Sequence, residues 1–264
     1  MYISIVIQTF NRVIKLHNLL KSIIAQTYKK FEIIIIDDHS SDDYTSIIDF
    51  LSKNQIDFTY HKNNENLGAP LSRNIGSKLC KYDYISFVDD DDDWKFNRLE
   101  ECHKMIKKLN QKNLIIYSFA EVKNSNGELL YNIEIDVKDN IRKQILQSCF
   151  ISSPSTIIEA QFFHHIGGFD PNFKSCQDWD LWVRAIYNDA NIFCIPKILC
   201  TNYKHEYPSI GKSYNSYHGY YYFFKMHLRK TIPINPFLTL KYLYNLLKNF
   251  VIYYFKKMIF KPVQ

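Results

Sequence analysis

Glycine is scarce in this sequence: there are seven in 264 residues, and none before Gly68. A glycine-rich phosphate loop near the N-terminus is therefore missing, which argues against a sugar nucleotidyltransferase. Cysteine is sparse and poorly spaced for chemistry. The six residues, at 80, 102, 149, 176, 194 and 200, form no C-x-x-C pair and no zinc spacing. A disulfide framework would go with a secretion signal. Residues 1–9 instead enter a strand-like apolar run with no basic leader and no small-residue cleavage site. The expected setting is a reducing cytoplasm. Acidic residues are lacking at the C-terminal end: Glu206 is the last, and the 58 residues after it carry nine Lys/Arg. With a net charge of +6, the rest of the chain stands at about −3 (+6 minus +9). A basic, aromatic tail suits anionic lipid or nucleic acid, and no nucleic-acid reading motif accompanies it. No internal repeat or flexible linker interrupts the chain.

What is present is an apolar, aromatic-rich chain, 46% hydrophobic and 16% aromatic, long enough for one α/β domain with an appendage. Short β-branched runs at 2–9, 31–36, 56–60, 84–88 and 114–118 alternate with helical spacing at 13–25, 43–51, 69–80 and 95–109. Continuous apolar strands such as 33–36 fit a mostly parallel sheet covered on both faces by helices. A hairpin is predicted over 120–135, turning at Asn126-Gly127. Helices follow at 138–148 and 178–188, and short strands at 192–195 and 198–203. The expected division is a catalytic domain over 1–210, with halves 1–118 and 119–210, and a helical extension over 211–264.

Ligands of doubly wound sheets bind at the carboxyl ends of the strands. There the first strand ends in Thr9-Phe10-Asn11-Arg12 and the second in Asp37-Asp38-His39-Ser40. The fourth runs into five consecutive aspartates, 89–93, followed by Trp94. Packed carboxylates repel one another, and a hard divalent cation, Mg²⁺ or Mn²⁺, neutralises such a cluster. A solvated acidic turn is the plain alternative, but the apolar strand before the run and the Trp after it favour a structured site.

These pieces resemble the family 2 glycosyltransferases of the GT-A fold. The resemblance is carried by Ser4-Ile5-Val6-Ile7-Gln8-Thr9-Phe10-Asn11-Arg12, Gln26-Thr27-Tyr28, Phe31-Glu32-Ile33-Ile34 through Asp37-Asp38-His39-Ser40, Asn66-Leu67-Gly68, Arg73-Asn74, Phe87-Val88-Asp89-Asp90-Asp91-Asp92, Gly167-Gly168-Phe169-Asp170 and Gln177-Asp178-Trp179-Asp180-Leu181-Trp182. It covers roughly residues 2–110 and 164–210. It departs at Gln8, where the family usually has proline, and at Gln177, where it commonly has glutamate.

The resemblance implies an inverting transferase using a UDP-sugar. Thr9, Phe10, Asn11 and Arg12, with Asn66, would contact the nucleotide. Asp38 would accept a hydrogen bond from uracil, although Asp37 or Asp38 could instead cap the next helix. Arg73 would hold the phosphates, since a guanidinium matches phosphate oxygens at two points. Asp90 would lie near the ribose, and Asp91, supported by Asp89, would contact the metal. Asp178 would take the proton from the attacking sugar hydroxyl, with Asp180 as the fallback base. Trp179 and Asp180 would face the acceptor, and Trp182 fits core packing better. His205 would touch metal or phosphate. Galactose or N-acetylgalactosamine is the expected sugar, and a surface polysaccharide or lipid-linked oligosaccharide the expected acceptor. A basic amphipathic pattern over 238–260 would either lie on an anionic membrane or pack on the domain; its longest uncharged stretch is too short to span a bilayer. A non-catalytic binding relative of the same fold would lack the metal and base carboxylates, and Asp91 and Asp178 are both present.

Overall fold

The computed structural model describes residues 1–137, 139–204 and 214–231, together with residues 240, 244, 247, 248, 250 and 251. In chain order the elements are β1 (Ile3–Thr9), α1 (Val13–Ile24), β2 (Phe31–Asp37), α2 (Thr45–Lys53), β3 (Phe58–Lys62), α3 (Ala69–Leu79), β4 (Tyr84–Asp89) and β5 (Asp93–Trp94). There follow α4 (Arg98–Leu109), β6 (Leu114–Asn124), β7 (Leu129–Ile133), α5 (Ile141–Gln147), β8 (Thr156–Glu159), α6 (Ala160–His165), α7 (Gln177–Tyr187), β9 (Asn191–Lys204) and α8 (Tyr214–Thr231). The sheet runs β3-β2-β1-β4-β8-β6-β9-β5, with β7 paired to β6 as a hairpin. Among the described residues no helix is long and apolar enough to cross a membrane.

The central strands are apolar on both sides because both sides are covered. Ile3, Ile5 and Ile7 of β1 are fully buried with Leu16, Leu19, Leu20 and Ile23 of α1. Val6 faces the opposite way, into a second cluster with Ile36, Phe87 and Trp182. Each such side chain contributes about 1.5–3 kcal/mol on burial. Helix α3 lies directly on the sheet at Gly76, where a Cβ would come within 2.5 Å of Val6 Cγ1.

The sheet is parallel over most of its paired residues, as expected, with antiparallel strands added in its second half. Helical crossovers make β1, β2, β3 and β4 parallel, but β8 is antiparallel to both neighbours. It enters between β4 and β6 from the edge where β4 ends, since Ile158 pairs with Ile85 and Glu159 with Tyr84. The two strands expected over 192–203 are one strand, β9, which tolerates register shifts opposite Ser118 and Phe119. The aspartate run leads into a further short strand: Asp93 and Trp94 pair with Thr201 and Cys200 as β5.

Two tertiary contacts anchor this end of the sheet. Arg98 is fully buried, donates to Ser86 Oγ at 3.0 Å and Thr156 O at 2.9 Å, and lies 3.8 Å from the Trp94 ring. In α8, Phe223 is 1% exposed and joins the cluster of Trp179 and Trp182. The first helix of the expected extension therefore belongs to the core of the domain, and a boundary at 210/211 does not separate it.

Candidate active site

Strand register brings the three polar strand ends together. Thr9 lies beside Asp37 and Gln8 beside Asp89. The loops after β1, β2 and β4 therefore open on one edge, beneath a cleft of about 1070 Å³ lined by Phe10, Arg12, Asp38, Asn66, Arg73 and residues 89–92.

The loop after β2 is built largely by its own aspartates. Asp37 accepts from Ser40 N at 2.8 Å and Tyr60 Oη at 2.6 Å. Asp38, 1% exposed, accepts from Asn63 Nδ2, Leu67 N and Gly68 N, each at 2.8 Å. Those bonds fold residues 63–68 over the strand end, and Asn66 Nδ2 adds a bond to Asp38 O at 3.2 Å. A carboxylate offers about four acceptor sites, so a single one remains for a ligand N–H. Neither residue caps α2, whose N-cap is Tyr44. Asn11, with φ of 53°, ties the first loop to the second, its Oδ1 accepting from Ser41 N at 2.8 Å.

A tight turn, closed by Asp92 N donating to Asp89 O at 3.1 Å, splits the first four of the five aspartates into two pairs. Asp90 and Asp92 point inward, 3% and 8% exposed. Thr9 Oγ1 donates to Asp90 at 2.8 Å, and Asn202 Nδ2 to Asp92 at 3.1 Å. Burial pushes Asp90 up to about 6 against the pull of Arg12, and pushes Asp92 well above the usual range, reinforced by Asp89 and Asp91. Asp89 and Asp91 are less buried and line the cleft. Arg12 pairs with Asp90 and Asp91 at 3.0 Å, Lys15 approaches Asp91 at 3.6 Å, and Arg73 pairs with Asp89.

This donor set suits a hard cation. Among the described residues no three acidic, His or Cys side chains converge at metal-binding distance. Mg²⁺ and Mn²⁺ do not need that: one or two carboxylates with substrate phosphates and water complete their shell. The raised pKa values of Asp90 and Asp92 come mainly from burial, with neighbouring carboxylates adding to it. Asp91 and Asp89 are the residues that could hold the ion. His205 lies outside the described residues.

Behind Gln177, which lines the cleft, Asp178 sits in the first turn of α7, within electrostatic reach of Arg73 and Asp89. It is half-buried and accepts from Ser153 N at 3.2 Å. Burial raises its pKa; Arg73 pulls it down and Asp89 pushes it up again. Arg73, 7% exposed, spans the gap, donating to Gln177 Oε1 at 3.0 Å and to Asp89. Gln177 thus occupies the family's usual glutamate position with a neutral acceptor for the same guanidinium.

Trp179 and Asp180 do not reach the cleft. Trp179 is 4% exposed, donates to Ile145 O at 2.6 Å and stacks on Phe223. Asp180 is 1% exposed and bound to Arg184 and His227. Helical spacing turns them away from the face that carries Asp178, so neither serves as acceptor contact or fallback base. The far wall is formed instead by Val122, Tyr131, Ile133, Ser152, Tyr203 and Lys204. Those residues carry no motif. Strand pairing assembles them, Lys123 lying beside Tyr203 and Asn124 beside Lys204. The exposed apolar positions of the hairpin were their one visible signal.

Such a strand-end site, with an acidic turn facing a helix-borne carboxylate, is that of a nucleotide-sugar transferase fold. Residues 4–165 match the model of Glycosyl transferase family 2, and the chain belongs to that family. An uncharacterized glycosyltransferase of Rickettsia bellii (strain RML369-C) is 34% identical over 209 residues, 77% of this chain and 30% of that relative. The chain thus spans about a third of the length of that relative and of its Rickettsia felis counterpart, of which it covers 31%. The putative colanic acid biosynthesis glycosyl transferase WcaA of Escherichia coli (strain K12) is 27% identical over 239 residues, 86% of this chain and 82% of that one. The crystal structure of S. aureus TarS 1–349 in complex with UDP-GlcNAc superposes with a TM-score of 0.68 at 21% identity, covering 83% of this chain and 64% of that chain. That likeness establishes the GT-A-like fold.

Proposed function

We propose that this protein transfers a hexosyl or N-acetylhexosaminyl group from a UDP-sugar to a hydroxyl of a growing bacterial surface glycan, with inversion at the anomeric carbon. The reading is carried by one observation: a half-buried carboxylate of raised pKa, Asp178, stands across Arg73 from the acidic turn that ends β4. Asp38 and the loop it holds receive the base, and Phe10, Asn11 and Arg12 flank the nucleoside. Arg73 balances the diphosphate, and Asp91 and Asp89 would hold a Mn²⁺ or Mg²⁺ ion beside it. Such an ion would stabilise charge developing on the leaving nucleoside diphosphate. Asp178 accepts the acceptor hydroxyl's proton as its oxygen attacks from the face opposite the leaving group. Tyr131, Tyr203 and Lys204 form the acceptor side. WcaA's name supports a polysaccharide as product. Titrating UDP-Gal, UDP-GalNAc, UDP-Glc and UDP-GlcNAc calorimetrically, with and without Mn²⁺, tests the reading. Metal-dependent binding of one of them is the expected result. Binding of GDP- or CMP-sugars alone would overturn the role given to Asp38, and silence across the panel would favour a non-catalytic relative.

The tail supports work at the inner face of the membrane. Leu240, Tyr244, Leu247 and Val251 recur at helical spacing, each more than half exposed, in a stretch without acidic residues. Other positions of the pattern, such as Leu243 and Phe255, lie outside the described residues. Deleting residues 238–264 is expected to release the protein from phosphatidylglycerol vesicles in a sedimentation assay. Retained binding would place membrane contact elsewhere.

A further inference from the structure

In the mechanism above α7 serves as the carrier of Asp178, yet its other buried polar group faces away from the cleft, toward α8. Both oxygens of the Asp180 carboxylate are engaged. Arg184 donates to Oδ2 from Nε at 2.9 Å and Nη2 at 2.6 Å, and His227 of α8 meets Oδ1 at 2.8 Å. A carboxylate only accepts, so Nε2 of His227 carries the proton. Arg184 already balances the charge of Asp180, and its remaining N–H groups donate to Ile166 O and Gly168 O. His227 therefore ties α8 to α7 through a carboxylate that Arg184 already holds.

The same helix touches the first turn of α7 at two further points. Phe223 stacks on Trp179, with centroids 4.1 Å apart and planes at 21°. Gly219 lies so close to the segment entering α7 that a Cβ there would come within 2.0 Å of Ser175 Oγ. Ser175, Trp179 and Asp180 bracket Asp178. Toward the cleft, Arg73 donates to Gln177 and attracts Asp178, and Ser153 N donates to Asp178. The turn that carries Asp178 is thus held from behind as well as from the cleft.

We propose that His227 is a positioning residue for glycosyl transfer: through Asp180 it fixes the first turn of α7, and with it the direction of the Asp178 carboxylate. The proposal rests on the reading of Asp178 as base. It gives α8 a part in the transfer although none of its described side chains lines the cleft. Mispositioning of the order of 1 Å in such a site costs roughly 100-fold in rate.

The test compares full-length His227→Ala and His227→Gln with wild type. The Gln amide can place an N–H near the same oxygen. With the UDP-sugar selected by calorimetry, His227→Ala is expected to lower kcat by roughly ten- to a hundredfold, while UDP affinity changes by less than about twofold. His227→Gln should recover most of the loss. Hydrogen exchange at the amides of residues 178–181, measured well below the melting temperature of the variant, should quicken in His227→Ala and return toward wild type in His227→Gln. A purely structural role predicts a lower Tm with kcat and local exchange unchanged, and that result overturns the proposal. Loss of UDP affinity in step with kcat, or failure of Gln to do better than Ala, also overturns it. If wild type binds no UDP-sugar, the functional reading fails on its own, and the exchange measurement still decides whether His227 holds this turn.

Discussion

Asp178→Asn is expected to lower kcat by roughly 10²–10⁴-fold, the range for removing a general base, and to leave UDP-sugar affinity intact. The amide keeps the volume and can still accept from Ser153 N, so the fold should hold. Competing explanations separate by pH. Burial holds the Asp178 pKa above the ordinary carboxylate range. A base works only when deprotonated, so wild-type kcat should fall as pH drops through that raised value. Asp178→Asn should keep a small residual rate without that acid limb. Near-normal turnover in the variant, or an unchanged limb, would remove Asp178 from the mechanism. Asp180→Asn is a poor control for the same chemistry, because it disturbs His227 and Arg184 inside the core.

Asp91→Ala is expected to abolish the Mn²⁺ dependence of UDP binding. A cation held at Asp91 would supply charge balance to the diphosphate, so the lost metal-linked gain should be on the order of 100-fold. Arg12 and Lys15 lose their partner at Asp91 in this variant. Both can turn to the diphosphate, so metal-free affinity should hold or rise slightly. That opposite sign distinguishes loss of a ligand from general damage to the cleft. The wild-type pH profile follows from the inward pair. Asp90 is raised to about 6 and Asp92 well above the usual range, so the fold disfavours their charged forms. Cation binding favours those forms and releases protons. Mn²⁺-linked affinity should therefore climb as pH rises toward and past 6. Unchanged Mn²⁺-linked affinity in Asp91→Ala would move the metal site elsewhere.

The positions of Arg73 and Gln177 show how far apart two kinds of information lie. Arg73 stands in a local motif on α3, and its type alone suggests phosphate. Its partners, Asp89 and Gln177, are 16 and 104 residues away. Asp38 was visible as a strand-end acid, but not its three donors from residues 63, 67 and 68. Elements of two to six residues, such as β5, β8 and α6, carry too few side chains to show a period. The acceptor wall was illegible for a different reason. Val122, Tyr131 and Lys204 come from three strands whose alignment depends on register shifts in β6 and β9.

The sequence by itself determined the strand–helix alternation of the first half, the family, and the residue types at the strand ends, because apolar periodicity and charged motifs are local properties of the chain. Only the tertiary structure decided which aspartates turn inward, that Trp179 and Asp180 belong to the core, and that α8 backs the helix carrying Asp178. Those outcomes depend on which face of each turn or helix meets an apolar neighbour. Burial of a side chain is a property of the assembled packing, and residues nearly fifty positions apart, such as Asp180 and His227, acquire a shared role only when the fold brings them together.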